Sequence, residues 1–252
     1  MTSVQDIFSA LNAFAPVATA EDYDNPGLLI GDGGAPVSRI LVALDPSLRV
    51  VREALDRGAD LIVTHHPFPF RGMKRFVAGD PDAEKLALLL RAGISLISMH
   101  TNLDLAEGGV NDALASALGL SDIRRCADAP LLRLGETAEP EAPEDFCRRV
   151  RAALSAPGLR AVCGSRPIRR VMVGGGSCSE FLPLAADAAD AFVTADCRHH
   201  AFLEAEERGL TLVDAGHFAT EATVLPCLRR LVALPGVEVL PSVCDRDPVI
   251  FF

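Results

Sequence analysis

The chain has 252 residues, and its 24 basic and 34 acidic side chains leave a formal net charge of −10. With 49% hydrophobic residues against 23% charged, a sizeable core is expected and global disorder is excluded. No apolar stretch approaches the ~18 residues of a membrane span, and Ser3, Gln5 and Asp6 interrupt the first ten residues, so a cytoplasmic protein without a membrane partner is expected.

In chain order the pattern alternates between strand and helix. Ile40–Leu44 is an apolar run of strand length, and Ser47–Arg57 has Leu48, Val51 and Leu55 at helical spacing. Leu61–Thr64 follows as strand, Ala83–Ala92 as helix, Ile94–Ser98 as strand and Val110–Leu118 as helix stopped by Gly119. Continuous apolar strands between helices imply an α/β fold with largely parallel sheets covered on both faces. After a polar, proline-bearing stretch from Gly135 to Glu144, a second set resembles the first. Gly58–His66 lies beside Ala188–Asp196 at constant offset, Arg39–Val42 beside Arg170–Val173, and Gly93–Ile97 beside Gly209–Val213. The repetition points to two similar α/β lobes produced by internal duplication.

The seven cysteines, Cys126, Cys147, Cys163, Cys178, Cys197, Cys227 and Cys244, are scattered and odd in number, which suits reduced thiols rather than a zinc knuckle. The acidic balance argues against extended nucleic acid as a partner and leaves a small molecule. Arg148, Arg149 and Arg151 with Arg169 and Arg170 are read as the only basic concentration, explained by a solvated helix face and a strand end.

Chemistry concentrates at the strand ends. All six histidines, His65, His66, His100, His199, His200 and His217, follow predicted strands, on the edge where open α/β sheets bind ligands. His100 precedes Asp104, and His217 precedes Glu221, each by four residues, so both pairs share a helical face. Imidazole plus carboxylate, without thiolate, suits divalent zinc, manganese, iron or nickel. Neighbouring His65 and His66 would point apart on a strand, but Pro67 ends the strand and allows both to turn toward one cleft. Five candidate ligands, His65, His66, Asp104, His217 and Glu221, exceed the three that a catalytic zinc needs and favour two ions. Gly174–Ser177 could bring backbone amides to a phosphate or form a plain turn. Asp24–Gly27 has turn composition.

Five blocks in order, Tyr23–Gly31, Thr64–Pro67, His100–Asp104, Thr194–Asp196 with His200, and Gly216–Glu221, resemble the NIF3-like dinuclear-metal proteins, also labelled GTP cyclohydrolase type 2 homologues. The resemblance implies His65, His66, Asp104, His217 and Glu221 as ligands of two divalent ions per chain, with His100 and His200 at further active-site positions. It also implies a cleft between two lobes, residues 1–125 plus 222–252 and residues 126–221, and a homohexameric ring. Tyr23 replaces a tryptophan of the family pattern, Ala195 a glycine and His199 a tyrosine; none is a ligand position. The chain is too short for the domain that longer members insert between the lobes. The expected activity is hydrolysis of a small, nucleotide-like substrate by a metal-activated water, with His100 or His200 moving the proton. The competing expectation is a metal-binding protein without catalysis, a carrier or ring scaffold.

Overall fold

The computed structural model describes Met1–Phe252, which divide into two compact units. In chain order the elements are α1 (Val4–Phe14), β1 (Gly27–Ile30), β2 (Arg39–Ala43), α2 (Leu48–Asp56), β3 (Leu61–Thr64), α3 (Pro81–Ala92), β4 (Ser95–Ser98), α4 (Thr101–Leu105), α5 (Val110–Ala117), β5 (Ser121–Arg125) and β6 (Arg133–Glu141). They continue with α6 (Pro143–Ala153), β7 (Arg160–Val162), β8 (Ile168–Val173), α7 (Leu182–Ala188), β9 (Ala191–Thr194), α8 (His199–Arg208), β10 (Thr211–Asp214), α9 (His217–Glu221), α10 (Leu225–Leu231) and β11 (Glu238–Pro241). No helix is long and apolar enough to cross a membrane.

Local chemistry sets the helix limits. Ser3 and Asp6 form a capping box at the start of α1, and the Ser47 hydroxyl accepts from the Val50 amide ahead of α2. Helix α3 begins at Pro81 behind the N-cap Asp80 and stops at Gly93, whose φ of 68° is left-handed and costs glycine little.

The first unit comprises Met1–Ala106 and Leu225–Arg246. Its five-stranded sheet has the order β1-β4-β3-β2-β11, parallel except for β1, which pairs antiparallel with β4. All four residues of β3 and of β4 are buried. Leu41, Ala43, Ile62 and Leu96 form a core with Val50, Val51 and Ala54 of α2 and Leu89 of α3. Burying a Leu- or Ile-sized side chain contributes ~1.5–3 kcal/mol, so this layer is a substantial part of the unit's cohesion.

The second unit comprises Glu107–Val224 and Asp247–Phe252. Its six-stranded sheet runs β5-β6-β8-β9-β10-β7; β8, β9 and β10 are parallel, whereas β5, β6 and β7 add antiparallel edges. Alternation along the strands separates two cores. Val171, Val173, Ala191, Val193 and Val213 face Leu114 of α5 and Phe146 and Val150 of α6. Met172, Phe192 and Leu212 face Leu182 and Ala185 of α7 and Ala201 and Ala205 of α8.

Two sequence expectations change here. Residues 107–125, assigned to the first lobe from sequence, belong to the second unit, because β5 pairs with β6 and Leu114, Ala115 and Leu118 join the second core. Residues 222–224 and 247–252 likewise fall in the second unit. The stretch Gly135–Glu144 does not separate two sets of elements: most of it is β6, which crosses beside β8, with Pro140 at a register shift where a missing amide donor is tolerated.

The duplicated frame is visible bond by bond. In the first unit the Asp60 carboxylate accepts from the Ser38 and Arg39 amides, and in the second the Asp190 carboxylate accepts from those of Arg169 and Arg170. The amide of Asp60 donates to Arg39 O at 2.9 Å and that of Asp190 to Arg170 O at 2.8 Å. Ser95 N donates to Asp60 O, as Thr211 N does to Asp190 O. One aspartate thus fixes the register of three parallel strands in each unit.

Glu53, buried on α2, ties the end of β11 to the first unit. It accepts from the Ser242 hydroxyl, from the Val243 amide at 2.9 Å and the Cys244 amide at 3.0 Å, and from Arg57 at 2.7 Å. Burial alone would raise its pKa, but these donors outweigh it and hold the carboxyl at about 2. Because the folded value lies below the ordinary 4.5, the stabilisation is complete above about pH 4.5 and lost as pH falls toward 2. Glu53→Gln is expected to cost ~1–3 kcal/mol at neutral pH, with the difference from the parent shrinking in acid, measured by urea unfolding at several pH values.

Candidate metal centre

In the first unit the chain leaves the sheet at Thr64, so strand alternation no longer separates the two histidines that follow. The His65 and His66 ring centroids are 4.9 Å apart, and His100, just beyond β4, stands 5.1 Å from His65 and 5.5 Å from His66. The ring nitrogens available for coordination in these three residues lie within 4.8 Å of one another. Asp104, one turn into α4, brings Oδ1 to 3.5 Å from His65 Nε2.

Each imidazole is held by its Nδ1. His65 Nδ1 lies 2.8 Å from Met99 O, which can only accept, so the proton sits on Nδ1 and Nε2 carries the lone pair. His66 Nδ1 is 2.8 Å from Asp45 Oδ1, and His100 Nδ1 is 2.7 Å from Asp24 Oδ1. Asp24 also accepts from the amide and hydroxyl of Thr101. Burial would raise its pKa, but the hydrogen bonds from His100 and Thr101 prevail and keep it well below the carboxylate range. The Asp24–Gly27 segment therefore does more than turn the chain, since it delivers the carboxylate that orients His100.

In the second unit, α9 starts at Gly216, with φ of 88°, and places His217 Nε2 3.1 Å from Glu221 Oε2 on one helical face. His217 Nδ1 lies 2.6 Å from Asp196 Oδ2. Asp196 follows β9 with φ of 54°, a left-handed conformation strained for a side chain other than glycine. The carboxylate–imidazole pattern of the first unit is therefore repeated here with different residues.

Gly174–Ser177 does not offer its glycine amides to a phosphate. Gly174 N donates to Val193 O, Gly175 N to Asn111 Oδ1 and Gly176 N to Thr220 Oγ1. The segment's glycines instead permit close approach. A Cβ on Gly176, whose φ is 64°, would lie 2.2 Å from Glu221 Oε1 and 3.3 Å from His217 Cε1.

Of the residues singled out from sequence, His65, His66, His100 and Asp104 come together in the first unit and His217 with Glu221 in the second. His200 is exposed in the first turn of α8, and its side chain has no hydrogen-bond partner. Sequence reasoning overlooked Asp45, read Asp24 as part of a turn and of a family block without assigning it a partner, gave Asp196 no individual role, and read Gly176 only as part of a phosphate-approaching or plain turn. Asp45 and Asp196 stand just past β2 and β9, the same strand-end position that drew attention to the histidines.

Imidazoles held at Nδ1 with carboxylates nearby suit a divalent cation of borderline character. Donor atoms within 4.8 Å of one another in His65, His66 and His100 would let these residues hold such a cation. An α/β frame carrying such donors at its strand ends is one that could bind a metal ion. Residues 2–248 match the Duf34/NIF3 (NGG1p interacting factor 3) family, and the chain belongs to it. A Streptomyces coelicolor relative described as a GTP cyclohydrolase 1 type 2 homolog is 38% identical over 88% of this chain and 82% of its own. A Clostridium perfringens relative of the same description is 31% identical over 98% and 99%. Among solved structures, a Staphylococcus aureus protein superposes with a TM-score of 0.91 at 25% identity over 100% and 99% of the two chains. Reduced HcgD from Methanocaldococcus jannaschii superposes with 0.82 at 29% over 95% and 97%.

Gly176→Ala is expected to push Glu221 and His217 from their observed positions and to destabilise the protein by ~1–3 kcal/mol, read as a lowered melting temperature. Unchanged stability would mean that this contact relaxes without cost.

Proposed function

We propose that the protein is a divalent-metal-dependent hydrolase acting on a small, nucleotide-like substrate. The observation that carries this reading is the fixing of four histidines by acceptors at Nδ1, His65 by Met99 O, His66 by Asp45, His100 by Asp24 and His217 by Asp196. Structural surface histidines have no need of such orientation, whereas ligands and proton carriers do. In this reading His65, His66, Asp104, His217 and Glu221 hold two ions, zinc, manganese, iron or nickel. When bound, these supply the Lewis acidity that makes water nucleophilic near neutral pH and polarises the bond under attack.

The chain's own residues divide the remaining work. Asp45 and Asp196 hold His66 and His217 at Nδ1 and fix their ring planes. Asp104 and Glu221 supply negative charge that offsets the cations in a partly buried site. Asp24 holds His100 so that its Nε2 can accept a proton from water or return one to a leaving group, in the manner of a buried carboxylate behind a catalytic imidazole. His100 is the favoured proton carrier; His200 has no orienting partner and is the weaker candidate. The family likeness supports a hexameric ring as the assembly, which light scattering would measure.

Elemental analysis of protein purified without added metal should find two divalent ions per chain. His65→Ala and Glu221→Ala should lose metal, and Asp45→Asn should weaken its binding by ~10–100-fold. His100→Ala should keep the metal and lose ~10²–10⁴ in turnover on a panel of nucleotides and phosphoesters. A parent that holds metal but hydrolyses nothing in the panel would replace this reading with that of a metal carrier or scaffold.

A further inference from the structure

A basic segment not recognised in the sequence lies beside the histidine cluster. Phe70-Arg71-Gly72-Met73-Lys74-Arg75-Phe76 has three cationic side chains in seven residues and no acidic one, in a chain whose net charge is −10. It is anchored on both sides of its first arginine: Phe68 is buried in the core of the first unit and Met73 packs against that core. Asn25 Nδ2 donates to Pro69 O at 2.7 Å, joining the segment to the residue next to Asp24. Arg71, Lys74 and Arg75 are exposed, and none forms an ion pair or hydrogen bond with the protein. Elsewhere, Arg39, Arg57, Arg133, Arg149 and Arg169 all pair with carboxylates. The Phe70 ring, 38% exposed, meets the His100 ring edge-on at a centroid distance of 5.9 Å.

We propose that Phe70–Phe76 is the substrate-recognition loop of the site, with Arg71, Lys74 and Arg75 binding a polyanion and Phe70 stacking an aromatic ring beside His100. The ligand class this describes is a nucleotide, which unites a flat ring with phosphates. Unpaired guanidinium and ammonium groups give charge-assisted hydrogen bonds to phosphate oxygens, and an exposed phenyl face stacks on any base. The loop's fixed anchors reduce the ordering cost on binding, while its exposed cations reach into solvent to meet the ligand. In a chain of net charge −10, the segment is a local concentration of positive charge rather than part of a generally basic protein.

The inference rests on the hydrolase reading only for where the substrate lies, and binding can be measured without turnover. Equilibrium dialysis of the full chain, as purified, against GTP, guanosine and inorganic triphosphate tests it. The combined variant R71Q/K74Q/R75Q is expected to bind GTP and triphosphate at least about tenfold more weakly, with guanosine unchanged. Phe70→Leu is expected to weaken GTP and guanosine about three- to tenfold and leave triphosphate unchanged. Raising ionic strength should erase the difference between the parent and the triple variant for triphosphate. A parent that binds none of the three ligands, or a triple variant that binds GTP as the parent does, overturns the proposal. Unaltered KM and turnover in the triple variant would remove the loop and leave the hydrolase standing. Loop-dependent GTP binding without hydrolysis by the parent would keep the loop and remove the hydrolase.

Discussion

An imidazole can present a lone pair in a fixed direction only when its other nitrogen is engaged, and the chemistry proposed for this protein depends on that constraint. His65, His66, His100 and His217 each meet it through Nδ1, against one backbone carbonyl and three carboxylates. The carbonyl partner of His65 cannot exchange roles, because it has no proton to give, and this is also the one histidine of the four that is fully buried. The carboxylate partners serve the more exposed rings of His66, His100 and His217. Position and ring orientation are thus set together by the residue behind each ring.

Those partners are placed by the sheet. Met99 and Asp24 reach the cluster because β4 and the turn before β1 end on the same edge of the first unit, and Asp45 follows β2, the neighbour of β3. In the second unit Asp196 follows β9 and His217 follows β10, again adjacent strands. The main-chain bonds of Asp60 and Asp190 hold these strand ends in register, so the donor geometry inherits its accuracy from hydrogen bonds at the opposite end of each strand.

Much of this was legible in the sequence. The alternation of Ile40–Leu44, Leu61–Thr64 and Ile94–Ser98 with helical stretches identified three of the five strands of the first sheet, because buried parallel strands leave a strong apolar signal, whereas β1 and β11 were not read. The His100–Asp104 and His217–Glu221 spacings placed each pair on one helical turn, as observed. Antiparallel edges were harder. β6 carries Gly135, Glu136, Thr137, Glu139 and Pro140, a composition typical of loops, and becomes a strand only because β8 supplies its partners. The boundary near residue 107 was hidden for the same reason, since α5 and β5 reveal their allegiance through contacts with residues distant in the chain. Orienting carboxylates such as Asp45 and Asp196 leave no spacing signal at all; only proximity after folding gives them a role. The glycines of Gly174–Ser177 look alike with or without a phosphate, and their tight packing against neighbouring side chains decided the matter.

The twin aspartates carry a consequence for how such a molecule could arise. Asp60 and Asp190 do the same architectural job, yet the segments that leave the far ends of the strands they anchor differ: His65-His66 in one half, Ala195-Asp196 in the other. The copied part is the frame, and the divergent part is the tip. An ancestral half-sized chain that doubled could therefore let each tip drift toward a separate duty, one accumulating imidazoles and the other a supporting acid, without disturbing the bonds that keep the strands aligned.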